Sequence, residues 1–172
     1  MRASCQRVSL FVLGILCTWV VPCRGQARDA AHIPAVCDLD NLASLTGMVS
    51  LSLGNHRVVD ETMPCLLKLW PQLRNRGAGD FDVSNAFLTI MTENPCVFFS
   101  AMANESTIFA QWLGDLQDLS FTWADPPPCG LEAKRKQLIL ILEHTRLETA
   151  KTTSLKTSVV TKLSEIRCRQ IN

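Results

Sequence analysis

Leu39, Leu42, Leu45, Val49 and Leu53 recur at three- and four-residue steps, the spacing of one helical face. That pattern predicts a helix beginning near residue 38 and ending at Gly54-Asn55. Between His56 and Gly79 the rhythm breaks. Cys65-Leu66-Leu67-Lys68-Leu69-Trp70-Pro71 reads as a short apolar knot, one helical turn inside a long loop, and Asn75-Arg76-Gly77-Ala78-Gly79 as a flexible turn. Asp80 then offers an N-cap for a second helix with Val83, Phe87, Ile90 and Met91 pointing inward. Pro95 interrupts it. Past the apolar Val97-Phe98-Phe99, the cap types Ser106 and Thr107 open a third helix, with Ile108, Phe109, Trp112, Leu113, Leu116 and Leu119 on its inner face.

Pro126-Pro127-Pro128-Cys129-Gly130 is a loop, and no glycine or proline follows it. Leu138-Ile139-Leu140-Ile141-Leu142 alone would suit a buried strand equally well. Its charged, uninterrupted flanks favour a helix buried at its middle. Thr152, Thr153 and Ser154 lower helix propensity and offer a cap, after which Leu155, Val159, Leu163 and Ile166 mark a last helix. Four long amphipathic helices plus short ones, each with a single apolar stripe, predict an all-α bundle in which the stripes share one core.

Residues 8–21 form an uncharged, mostly apolar run preceded by Arg2 and Arg7 and followed by Cys23-Arg24-Gly25. This is the three-part pattern of a secretory leader, too short for the roughly 20 apolar residues of a bilayer-spanning helix. Residues 1–25 are therefore expected to leave, and 26–172 to form a single secreted, extracellular domain with no membrane insertion. Without the three arginines of the leader, 14 basic residues face 16 acidic ones, a balance unlike that of a nucleic-acid binder. Five cysteines remain after the leader: Cys37, Cys65, Cys96, Cys129 and Cys168. Their wide spacing in an oxidising compartment suits long-range staples on a domain that already has a core, and the odd number leaves one thiol over.

The chain carries no GxSxG, HExxH, phosphate-binding glycine loop or zinc-type cysteine pattern. The expectation is a binding protein, with no catalytic residues, no metal and no cofactor. Asn104-Glu105-Ser106 is the sole N-glycosylation sequon. Leu66, Leu67, Leu69 and Trp70, read as a loop, either plug the end of the bundle or anchor a partner, since tryptophan is a favoured interface residue. Lys151, Lys156, Lys162, Arg167 and Arg169 line the last helix, where positive charge either meets solvent or steers an acidic partner.

Three stretches resemble the class II helical cytokines, most closely the interferon-lambda (type III interferon) branch. Cys37-Asp38-Leu39-Asp40-Asn41-Leu42-Ala43-Ser44-Leu45 resembles the cysteine-led start of that family's first helix. Residues 86–119, ending in Trp112-Leu113-Gly114-Asp115-Leu116-Gln117-Asp118-Leu119, resemble its paired central helices. Leu155-Lys156-Thr157-Ser158-Val159 and Cys168-Arg169 resemble its last helix and tail. The resemblance implies an up-down helical cytokine bundle, stapled by disulfides and monomeric. A member of that family would be expected to bridge a private and a shared receptor chain at the cell surface and to drive antiviral signalling through receptor-associated kinases. The resemblance also implies a bridge from Cys37 to Cys129 and receptor contacts at Asn41, Ser44 and Met48, at Leu69 and Trp70, and at Lys156 and Lys162.

The sequence departs from that family twice. Ser154 stands where the family's second bridge has its cysteine, which leaves Cys65 to pair with Cys96 or Cys168 or to stay free. Thr161 and Ser164 stand about where the family carries bulky aromatics. Another branch of the same superfamily and a secreted helical carrier of a hydrophobic ligand are the rival readings.

Overall fold

The computed structural model describes residues 37, 39, 42, 43, 46, 56–123, 130–167 and 169–170. The expected leader, most of the first predicted helix, Cys129 and Cys168 lie outside them. Among the described residues the protein is all-α: six helices with one two-residue parallel pairing. Leu42, Ala43 and Thr46 are helical, and Leu42 joins the core, as its place in the stripe requires. Leu39, expected on the same inner face, is 41% exposed.

The largest departure from the sequence reading follows at once. The expected loop is a helix, α1 (His56–Leu73), with Pro64 and Pro71 inside it. Val59, Met63, Leu66, Leu69, Trp70 and Leu73 are buried at helical spacing. Each proline lacks the backbone donor that an interior helical position normally supplies. Both prolines lie on the outer, solvent-exposed side of the helix, where such an irregularity is tolerated.

Helix α2 (Ala78–Glu93) starts two residues before the expected cap. Gly77, at φ 91°, occupies the N-cap position in backbone space that a β-carbon disfavours. Asp80 lies within the first turn instead. Its carboxylate accepts from the Phe81 amide at 2.9 Å and the Asn75 amide at 3.2 Å, a favourable place for negative charge. Asn94 ends α2, and Pro95 opens α3 (Pro95–Asn104) at a position where its missing N–H costs nothing. Glu105, at φ −122° and ψ 56°, separates α3 from α4 (Ser106–Ser120). Strand β1 (Thr122–Trp123) pairs in parallel with β2 (Arg169–Gln170), tying the end of α4 to the chain's end.

Helices α5 (Leu131–His144) and α6 (Ala150–Glu165) pack together and cap each other. Lys156 of α6 donates from Nζ to the Thr145 carbonyl at the end of α5, at 2.8 Å. Arg135 of α5 donates to the Leu163 carbonyl near the end of α6 while its guanidinium also grips Glu132. A cation at each helix C-terminus satisfies an orphan carbonyl and complements the dipole, worth about 0.3–1 kcal/mol each. The cap of α6 is Thr149, whose Oγ1 accepts from the Thr152 amide at 3.1 Å; Thr152, Thr153 and Ser154 lie inside the helix. Val159, Leu163 and Ile166 are buried as the stripe predicts, whereas Leu140, at the middle of the α5 apolar run, is 56% exposed.

Helix α2 is the centre, packing against α1, α3, α4 and α5, while α3 also meets α6. The core is aromatic where these helices meet. Phe87 sits 5.9 Å from Trp70, 6.2 Å from Phe98 and 6.0 Å from Trp112, centroid to centroid, so one ring joins α1, α2, α3 and α4. Phe98 and Trp112 close the group edge to face at 5.3 Å.

The two buried tryptophans differ in their polar ends. Trp112 Nε1 donates to Ser84 Oγ at 3.1 Å, and that hydroxyl shares a hydrogen bond with Ser120 Oγ at 2.9 Å. Trp70 Nε1 is buried without a partner. A satisfied buried donor is stabilising and an orphaned one costs about 1–3 kcal/mol. Trp112→Phe is therefore expected to lose about 1–2 kcal/mol more stability than Trp70→Phe, although both remove a similar volume. Urea unfolding with unchanged slopes measures the difference; equal losses would show that the indole donors do not matter.

Candidate functional site

Helix α1 dictates what happens to the residues expected to anchor a partner. Leu69 and Trp70 are both 0% exposed, so neither is a surface contact. A continuous helix turns Cys65, Leu66, Leu69 and Trp70 inward, leaving Leu67 half-buried and Lys68 and Pro71 exposed. The Leu69 and Trp70 side chains are enclosed rather than on the surface where they were expected, Trp70 packing against Phe87 in the core. The helical spacing of residues 59–73 was the available signal, obscured by two prolines.

The disulfide expectation also needs correction. Cys37 is bonded to Cys65, not to Cys129, with the Cα atoms 5.1 Å apart. Cys65 lies on the inner face of α1, and Cys37 packs against the same core just ahead of Leu42. Cys65 therefore neither pairs with Cys96 or Cys168 nor stays free. Cys96, at the start of α3, is itself disulfide-bonded. The expected contacts Asn41, Ser44 and Met48 lie outside the described residues.

Lys156 and Lys162 are half-buried on α6. One of the three N–H donors of Lys156 is taken up by the Thr145 carbonyl at the end of α5. Lys162 lies in the last turn of α6, where a cation suits the dipole. Thr161 and Ser164 are exposed. They belong to a solvent-facing strip with Thr153, Ser154, Thr157 and Ser158, bordered by Lys151. Thr157, Ser158 and Ser164 donate to the carbonyls four residues back at 3.0, 3.1 and 2.8 Å. With their hydrogens turned inward, these hydroxyls offer oxygen lone pairs outward. The strip is small, neutral and accepting, able to lie close against the donors of a partner surface.

Arg74 Nε meets Asp115 Oδ2 at 2.7 Å, joining the end of α1 to α4, and this hydrogen bond and charge raise the guanidinium pKa further. His144 is exposed, with Nδ1 2.8 Å from the Leu140 carbonyl. A shallow cleft of about 190 Å³ between α2 and α5 is lined by Thr89, Thr92, Glu93, Lys134, Gln137 and Leu138. It is below the roughly 300–1,000 Å³ of a ligand pocket. Among the described residues, no three of His, Cys, Asp and Glu gather as metal ligands, and no helix is long and apolar enough to cross a membrane. Comparison with family models, curated proteins and solved structures returned no match.

Proposed function

We propose that this protein is a secreted helical cytokine of the class II type, interferon-lambda-like. In this reading it bridges a private and a shared receptor chain and triggers antiviral signalling through receptor-associated kinases. The observation that carries the proposal is the two-sidedness of α6. Val159 and Leu163 bury one side, while the hydroxyl strip leaves the other free. That helix is the element through which the resemblance expects the private receptor chain to be met. The leader pattern of residues 1–25 and the all-α fold are consistent with it. The contact surface proposed is the outer face of α6 with Lys162, together with Asn41, Ser44 and Met48 of the stretch expected to form the first helix. Leu69 and Trp70 drop out of it because both are buried, and Lys156 because its ammonium already donates to the Thr145 carbonyl.

Thr157→Arg places a long cation in the middle of the strip, where a surface change moves stability by no more than about 0.5 kcal/mol. In cells bearing class II receptor pairs, the protein is expected to activate an antiviral reporter. Thr157→Arg is expected to lower potency at least about tenfold, roughly 1.4 kcal/mol of binding, with an unchanged melting temperature. A silent wild-type protein across the receptor pairs would end the proposal, and full potency in the variant would remove α6 from the contact.

A further inference from the structure

We propose that Asn104 is N-glycosylated, a modification site at the elbow between α3 and α4; this rests on the secreted reading above, because the reaction belongs to the export route. Four residues in succession, Asn104, Glu105, Ser106 and Thr107, are exposed. Asn104 is the last residue of α3, and Glu105 leaves helical geometry at φ −122° and ψ 56°. No following turn of helix therefore stacks over the Asn104 side chain. The sequon is complete, with Glu105 at the central position and a hydroxyl on Ser106.

The amide chemistry fits the folded geometry. Transfer takes an oligosaccharide from a lipid pyrophosphate donor. The Asn104 nitrogen forms a bond to the anomeric carbon of the first sugar, the carbon–oxygen bond to pyrophosphate breaks, and the lipid pyrophosphate departs with the electron pair. The nitrogen keeps one proton and gives up the other to a base of the transferring enzyme, which passes it to solvent. In the folded protein Asn104 Nδ2 donates to the Ser100 carbonyl, at 3.3 Å. The retained N–H is sufficient for that bond, and the position of the lost proton carries the sugar. Modified and unmodified chains therefore share one fold. A carbohydrate, bulky and hydrated, at this elbow holds it in solvent.

The full chain expressed in a mammalian secretory line tests this, with leader removal and Asn104 occupancy both read by mass spectrometry of the exported protein. Expected are a carbohydrate-bearing Asn104 peptide, its loss in Asn104→Gln and in Ser106→Ala, and its retention in Ser106→Thr, with melting temperatures unchanged throughout. Exported, leader-cleaved protein with a bare Asn104 overturns the glycan and leaves the secreted reading standing. Protein that never leaves the cell overturns both.

Discussion

Phe87→Ala is expected to destabilise the protein by about 3–5 kcal/mol, the range for deleting a fully enclosed aromatic ring. Phe87 is 0% exposed and touches rings from α1, α3 and α4, so its loss opens a cavity bounded by three helices at once. A cavity that many elements must close together collapses poorly, which places the cost toward the upper end. For a domain whose whole stability lies in the usual 5–15 kcal/mol, that is a large share. Denaturant unfolding against wild type checks it. A loss below about 1.5 kcal/mol, the usual ceiling for a volume-conserving swap, would mean that the aromatic group is not the keystone described.

The second large effect comes from sulfur. Replacing Cys37 and Cys65 together with alanine is expected to cost about 3–4 kcal/mol in the chain-entropy model, for a loop closed over a separation of 28 residues. Cys65 is buried and Cys37 packs against the core, so some lost packing adds to the entropy. Non-reducing peptide mapping gives an independent check. The peptide holding Cys37 is expected to release that of Cys65 on reduction. Recovery of a Cys37–Cys129 peptide instead would restore the family's bridge and remove this assignment.

The all-α class, the stripes of α2, α4 and α6, and the break at Pro95 were legible because each rests on local chemistry: helical spacing or a missing backbone donor. Helix α1 was not legible because Pro64 and Pro71 read as interruptions. Tertiary burial of Leu66, Leu69 and Trp70 outweighs that local penalty, and a rule based on one residue's preference does not weigh burial. Leu69 and Trp70 were consequently read as loop residues, left between a plug and a partner contact, although their spacing with Val59 and Leu66 already pointed inward. The pairing of Cys37 could not be read from spacing at all, since any connectivity satisfies the same count. The commitment of Lys156 to the Thr145 carbonyl was equally invisible, because the two are 11 residues apart and meet only after the hairpin closes.

The central position of α2 changes how loss of activity is to be interpreted. Val83, Ser84, Phe87, Leu88, Ile90 and Met91 are all 0% exposed, so no outside molecule reaches these side chains while the protein is folded. A natural variant at any of them that silences the protein acts through abundance: fewer chains survive quality control, and each survivor is as competent as before. Dose–response curves normalised to folded protein would superimpose for such variants, whereas those altered on the rim of the molecule would stay apart.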